Sequence, residues 1–144
     1  MDDNTLAPHM LKTSDAAPLK GKVAFVTGSG RGLGRTIAER LMSLGANLVL
    51  HDISEEAPAR FGEVESLSAI AKQLSTQGPR ALAVTGDISD NAAVEAMTAK
   101  AERELGPVSI LVNCAGGDIG ADANKPNPST PTNFKLEDVH AVLN

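Results

Sequence analysis

The spacing of apolar residues along this chain switches repeatedly between two periods, and each switch marks an element. Residues 22–27, KVAFVT, are almost continuously apolar, as in a strand buried on both faces. Leu33, Ile37, Leu41 and Leu44 then recur at helical spacing, with Gly45 placed to end the helix. Residues 47–51, NLVLH, read as a second strand. Val64, Leu67, Ile70, Ala71 and Leu74 mark a second helix, stopped by Gln77-Gly78-Pro79. Pro58 and Gly62 delay its start, so an irregular segment is expected from about Glu55 to Phe61, with helix beginning near Gly62. Residues 81–85, ALAVT, form a third strand. A third helix carries Val94, Met97, Ala101 and Leu105, with Ser89 or Asp90 as its cap and Gly106-Pro107 as its stop. Residues 108–113, VSILVN, make the fourth strand, apolar on both faces.

Strands alternating with amphipathic helices predict right-handed βαβ units and a parallel sheet covered on both faces. The expected fold is therefore α/β, a Rossmann-like doubly wound sheet of four strands and three to four helices. Residues 1–19 are polar, without the basic-then-apolar build of a secretory signal, and are expected to form a flexible tail before a dinucleotide-binding domain over 20–144.

Composition narrows the function. A net charge of −5 gives no basic footprint for nucleic acid, and no apolar run approaches the roughly 20 residues of a membrane span. Cys114 is the single cysteine, so no internal disulfide can form and a reducing, cytoplasmic setting is expected. His9, His51 and His140 are too scattered to suggest a metal site. Glu55, Glu56, Glu63 and Glu65 read as a solvated approach to the second helix. Asp118 and Asp122 fall in the loop after the fourth strand, where plain solvation is the simpler reading and substrate contact the sharper one.

The chemistry concentrates between Val26 and Gly34, VTGSGRGLG, where glycines occupy 28, 30, 32 and 34. They lie at the first strand-to-helix turn, where unpaired amides and the positive end of the helix dipole can hold a phosphate. Glycines there let backbone and ligand approach closely. Thr27-Gly28-x-x-x-Gly32-x-Gly34 resembles the TGxxxGxG motif of the short-chain dehydrogenase/reductase family. Asn113-Cys114-Ala115-Gly116 is similar to its NNAG motif, with cysteine replacing the second asparagine. Asp87-Ile88 resembles the pair that contacts adenine, and residues 137–144 resemble the segment ending in the family's catalytic helix asparagine, here Asn144.

The resemblance implies an NAD(P)-dependent oxidoreductase that moves a hydride between a nicotinamide and an alcohol or carbonyl of sugar, alcohol or 3-oxoacyl type. By the same resemblance the sheet order is 3-2-1-4, and the complete enzyme is a homo-oligomer, a dimer or tetramer. Ser29, Arg31 and Leu33 would wrap the pyrophosphate and adenosine ribose, with Gly28, Gly32 and Gly34 giving the backbone room. Asn113, Ala115 and Gly116 would line the nicotinamide-side ribose. Asp52, closing the second strand, favours NAD, whereas Arg31 leaves NADP as second choice. The family's proton relay adds a Ser and a Tyr-x-x-x-Lys pair, yet this sequence contains no tyrosine. The chain is therefore expected to be the N-terminal, cofactor-binding portion of a longer enzyme, inactive and prone to associate by itself. The alternative is a non-catalytic nucleotide-binding or regulatory module with the same fold.

Overall fold

A computed structural model describes residues 17–59, 62, 66–76 and 78–116. The expected segment 137–144, with Asn144, lies outside these residues, as do Val64, Phe61, Asp118 and Asp122. The elements run β1 (Val23–Thr27), α1 (Gly32–Ser43), β2 (Asn47–Asp52), α2 (Leu67–Ser75), β3 (Ala81–Thr85), α3 (Asn91–Leu105) and β4 (Ile110–Asn113). All strand pairs are parallel and the sheet order is β3-β2-β1-β4, as expected.

Alternation along the strands divides the core into two layers. Ala24, Val26, Leu48 and Leu50 face α1 and α2, where Ala38, Met42, Leu67, Ile70 and Leu74 cover them. Val23, Phe25, Val49 and Val84 face the other way and pack against Met97 and Ala101 of α3. Each large aliphatic side chain so buried contributes about 1.5–3 kcal/mol. β1 and β2 hold the centre because both of their faces are covered. β4 is an edge of the described sheet, and Leu111 in it remains 63% exposed.

Two helices differ from the sequence pattern. In α1 the fully buried stripe is Gly34, Ala38 and Met42; of the expected run, Leu41 packs against the core partly buried, whereas Leu33 is 72% exposed. Small residues at 34 and 38 let the helix lie close to the sheet, so the face that fits wins over the face with larger apolar residues. The irregular segment after β2 is present, with successive turns over 53–59, but α2 starts at Leu67 rather than near Gly62. Gly62 is exposed with φ +74, and Ser66 caps the helix by accepting the Ala69 amide proton at 3.1 Å. Leu19, placed in the expected tail, packs against the core and donates its amide to the Leu44 carbonyl at 2.8 Å.

Glu55 strengthens that delayed start. Its carbonyl accepts the Leu67 amide at 3.0 Å and its carboxylate accepts the Ser68 amide at 2.7 Å. Burial alone would raise its pKa, but hydrogen bonds from the Ser68 side chain and backbone and from Ser66, with the Lys100 charge, bring the net value below 4.5. A lowered carboxyl stabilises the fold fully above the ordinary value of 4.5 and loses that contribution as pH falls through the lower folded value. Below pH 4.5, exchange of the Ser68 amide should therefore quicken in the wild type more than in Glu55→Gln. Identical acid profiles would contradict this role for the carboxylate.

Candidate cofactor site

Parallel strands place their C-terminal ends on one edge, so the turns after β1, β2, β3 and β4 meet there. The turn after β1 is the most crowded. Gly28 has φ +63, and a Cβ on it would come within 2.8 Å of the Ala115 Cα. A Cβ on Gly34 would strike the Gly28 carbonyl oxygen. The glycine turn, the start of α1 and the Asn113–Gly116 turn are thus in backbone contact. Thr27 ties the ends of β1 and β4 together, its Oγ1 accepting the Cys114 and Ala115 amides at 3.0 Å each.

The start of α1 differs from the other helix starts. α2 is capped by Ser66, and α3 by Asp90, whose carboxylate accepts the Ala92 amide at 2.9 Å. No side chain caps α1; Arg31 stands at the N-cap position with extended backbone. The first-turn amides of Gly32, Leu33 and Gly34 have no intrahelical acceptor, and the positive end of the dipole lies among them.

Ser29 is placed differently from the residues around it. It is fully buried, its hydroxyl donating to the Val26 carbonyl at 2.8 Å and accepting the His51 amide at 2.9 Å. Its own amide donates to the His51 carbonyl at 2.8 Å. Ser29 therefore fixes the glycine turn to the end of β2 through both its side chain and its main chain.

At the end of β2, Asp52 lies against Gly30, where a Cβ would meet Oδ2 at 2.5 Å and the Pro58 ring at 2.7 Å. Asp52 Oδ1 accepts the Ile53 amide at 2.9 Å. At the end of β3, Asp87 Oδ1 accepts both the amide of Ser89 at 2.8 Å and its hydroxyl at 2.7 Å. The backbone and then the side-chain hydrogen bond from Ser89 hold the Asp87 carboxyl below its ordinary range. Ile88 is 46% exposed and Ile53 54% exposed, so two large apolar side chains stand open at the ends of neighbouring strands. Asn113 and Gly116 are exposed and Ala115 partly so.

The edge therefore collects Gly28, Ser29, Arg31, Gly32, Leu33 and Gly34 from the first turn, and Asp52, Asp87, Ile88, Asn113, Ala115 and Gly116 from the other three. Thr27, His51 and Ile53 join them without having been singled out for this site. Ile53 gives no signal of its own in the sequence, because it is a single apolar residue after His51 and Asp52 and belongs to no motif. A motif of the short chain dehydrogenase family spans far more than these turns: the family's profile matches residues 22–142. The chain belongs to the short-chain dehydrogenase family.

Among relatives of this family, the chain is 37% identical over 102 residues to 2,3-dihydro-2,3-dihydroxybenzoate dehydrogenase of Bacillus subtilis, covering 71% of this chain and 36% of that one. It is 38% identical over 113 residues to an NADPH-dependent aldehyde reductase-like chloroplastic protein of Arabidopsis thaliana, covering 77% and 42%. A short chain dehydrogenase structure from Mycobacterium smegmatis superposes with TM-score 0.69 at 30% identity, covering 88% and 46%. A metagenomic short-chain oxidoreductase in complex with NADP superposes with TM-score 0.66 at 28% identity, covering 88% and 50%. The chain thus spans about half or less of each relative's length. No described helix is long and apolar enough to cross a membrane.

Proposed function

We propose that this chain is the cofactor-binding portion of an NAD(P)-dependent oxidoreductase that interconverts an alcohol and a carbonyl on a small molecule. The observation that carries the reading is the uncapped start of α1, walled by glycines that cannot accept a Cβ, in a chain of the short-chain dehydrogenase family. The residues present fit a dinucleotide. Amides of Gly32, Leu33 and Gly34 would hold the pyrophosphate, with Arg31 beside them. Asp52 would accept the adenosine ribose hydroxyls. Ile53 and Ile88 would flank the adenine, while Asp87, with both Ser89 bonds on Oδ1, keeps Oδ2 for an exocyclic amine. Asn113, Ala115 and Gly116 would line the nicotinamide-side ribose. When bound, the nicotinamide supplies or accepts the hydride.

Ser29 acts by shaping the turn, since its hydroxyl is buried and twice bonded. NAD is the proposed cofactor, because the Asp52 carboxylate disfavours a 2′-phosphate; NADP is second. Asn144 is the proposed helix asparagine of a proton relay whose tyrosine and lysine lie elsewhere in the complete protein, because the 144 residues contain no tyrosine. We place that protein in the cytoplasm as a homo-oligomer, on the single cysteine of these 144 residues and on the family. The test is turnover of an alcohol and carbonyl panel by the complete protein, followed by nicotinamide absorbance. Residues 1–144 alone should give none. Cofactor binding without turnover by the complete protein, on any substrate class named, would contradict the catalytic reading.

A further inference from the structure

His51 is 2% exposed at the end of β2, and no role in catalysis or ligand binding accounts for it. Both ring nitrogens are engaged. The Gly28 amide donates to Nδ1 at 3.3 Å, and Nε2 lies 2.9 Å from the Gly86 carbonyl oxygen. An amide can only donate and a carbonyl can only accept, so Nδ1 carries the lone pair and Nε2 the proton. The neutral ring therefore spans two turns: the one after β1, which begins the glycine motif, and the one after β3, which leads to Asp87 and Ile88. Its main chain completes the grip through the paired bonds with Ser29. Phe25 closes the ring's surroundings, with centroids 6.1 Å apart.

We propose that His51 is a positioning residue for the dinucleotide: its neutral imidazole sets the glycine turn and the adenine-side turn as one rigid cradle. This rests on reading the strand-end edge as a dinucleotide site. It also assigns the Gly28 amide to the protein rather than to phosphate, leaving phosphate recognition to the amides at the start of α1. Gly28 is the sensitive arm. Its backbone is left-handed and wedged against Ala115, so small changes in its amide direction propagate to both neighbours. A turn fixed before binding does not have to be ordered by the ligand, and that difference appears in affinity.

Two substitutions separate the arms. In His51→Asn, Oδ1 stands one bond from Cγ as Nδ1 does, so it can accept the Gly28 amide, while Gly86 is out of reach. In His51→Gln, Nε2 can reach Gly86, but the partly buried Gly28 amide is left without its acceptor. Calorimetric titration of the complete protein with NADH and NADPH should give His51→Asn, which loses the Gly86 arm, weakened about threefold and His51→Gln, which loses the Gly28 arm, weakened about tenfold or more. Thermal melts of the same samples show whether each variant is folded. On the unliganded wild type, nitrogen NMR of the imidazole should show the proton on Nε2. A proton on Nδ1, or wild-type affinity in both folded variants, would overturn the proposal. If wild type binds neither nucleotide, the dinucleotide reading fails instead, and the tautomer still decides whether the imidazole links the turns as described.

Discussion

Replacing Gly34 by alanine should weaken dinucleotide binding by at least about 100-fold, roughly 2.7 kcal/mol, and also lower the melting temperature. The added methyl would strike the Gly28 carbonyl oxygen and come within 2.9 Å of its carbon. Both are backbone atoms of the turn that the site depends on, so no side chain can swing aside. Overpacking of this kind costs about 1–3 kcal/mol, or several degrees in a domain of this size. Relief requires α1 to move away from the turn, which carries the first-turn amides out of register with a phosphate. Gly32→Ala is the informative control. Gly32 has φ +54, but a Cβ there meets nothing within 4 Å. Only the left-handed backbone is penalised, by about 1 kcal/mol, and binding should fall far less. Calorimetry and thermal melts on both variants check the contrast. Gly34 has ordinary helical backbone, so equal losses would contradict the close-approach reading of this position.

The second large effect concerns cofactor choice. NAD should bind at least about tenfold more tightly than NADP, and Asp52→Ala should remove most of that difference. Like charges about 4 Å apart repel by about 4 kcal/mol at an effective dielectric near 20. Asp52 is partly exposed, and screening reduces this to roughly 1–2 kcal/mol, near tenfold in Kd. Its Oδ2 lies where even a Cβ on Gly30 would meet it, so the carboxylate occupies the space beside the glycine turn. Relatives of similar fold bind NADP, so the family alone does not decide the matter. Competitive titration of the two nucleotides on wild type and Asp52→Ala decides it. Tighter binding of NADP by the wild type would contradict the reading.

The strands were legible in the sequence because each is a short apolar run closed by Gly, Pro or a polar turn, and β3 occupies the very residues expected. Their order followed from the family resemblance and matches. Helix faces were less legible. Apolar spacing favoured a face led by Leu33, but contact with a flat sheet at close range selects Gly34 and Ala38, whose smallness a hydrophobic pattern does not score. The start of α2 was obscured because its cap, Ser66, and its second acceptor, Glu55, are eleven residues apart and joined only by tertiary folding. The site was legible wherever glycine signalled close approach. It was illegible where a polar side chain works inward: Ser29 looked like a phosphate ligand, His51 like a lone histidine, and Thr27 like the first letter of a motif. What separates them is hydrogen-bond partners across β1, β2, β3 and β4, which no local window contains.

The central claim is that the strand-end edge of this chain holds a nicotinamide dinucleotide at the uncapped start of α1. Its most direct test is amide NMR of the protein, with exchange and line positions of Gly32, Leu33 and Gly34 followed as NADH is added. Saturable shifts at these three amides, with the Gly28 amide held by His51 and moving less, are the result predicted. Saturable binding that leaves all three unmoved, or none at all by folded protein, would contradict it.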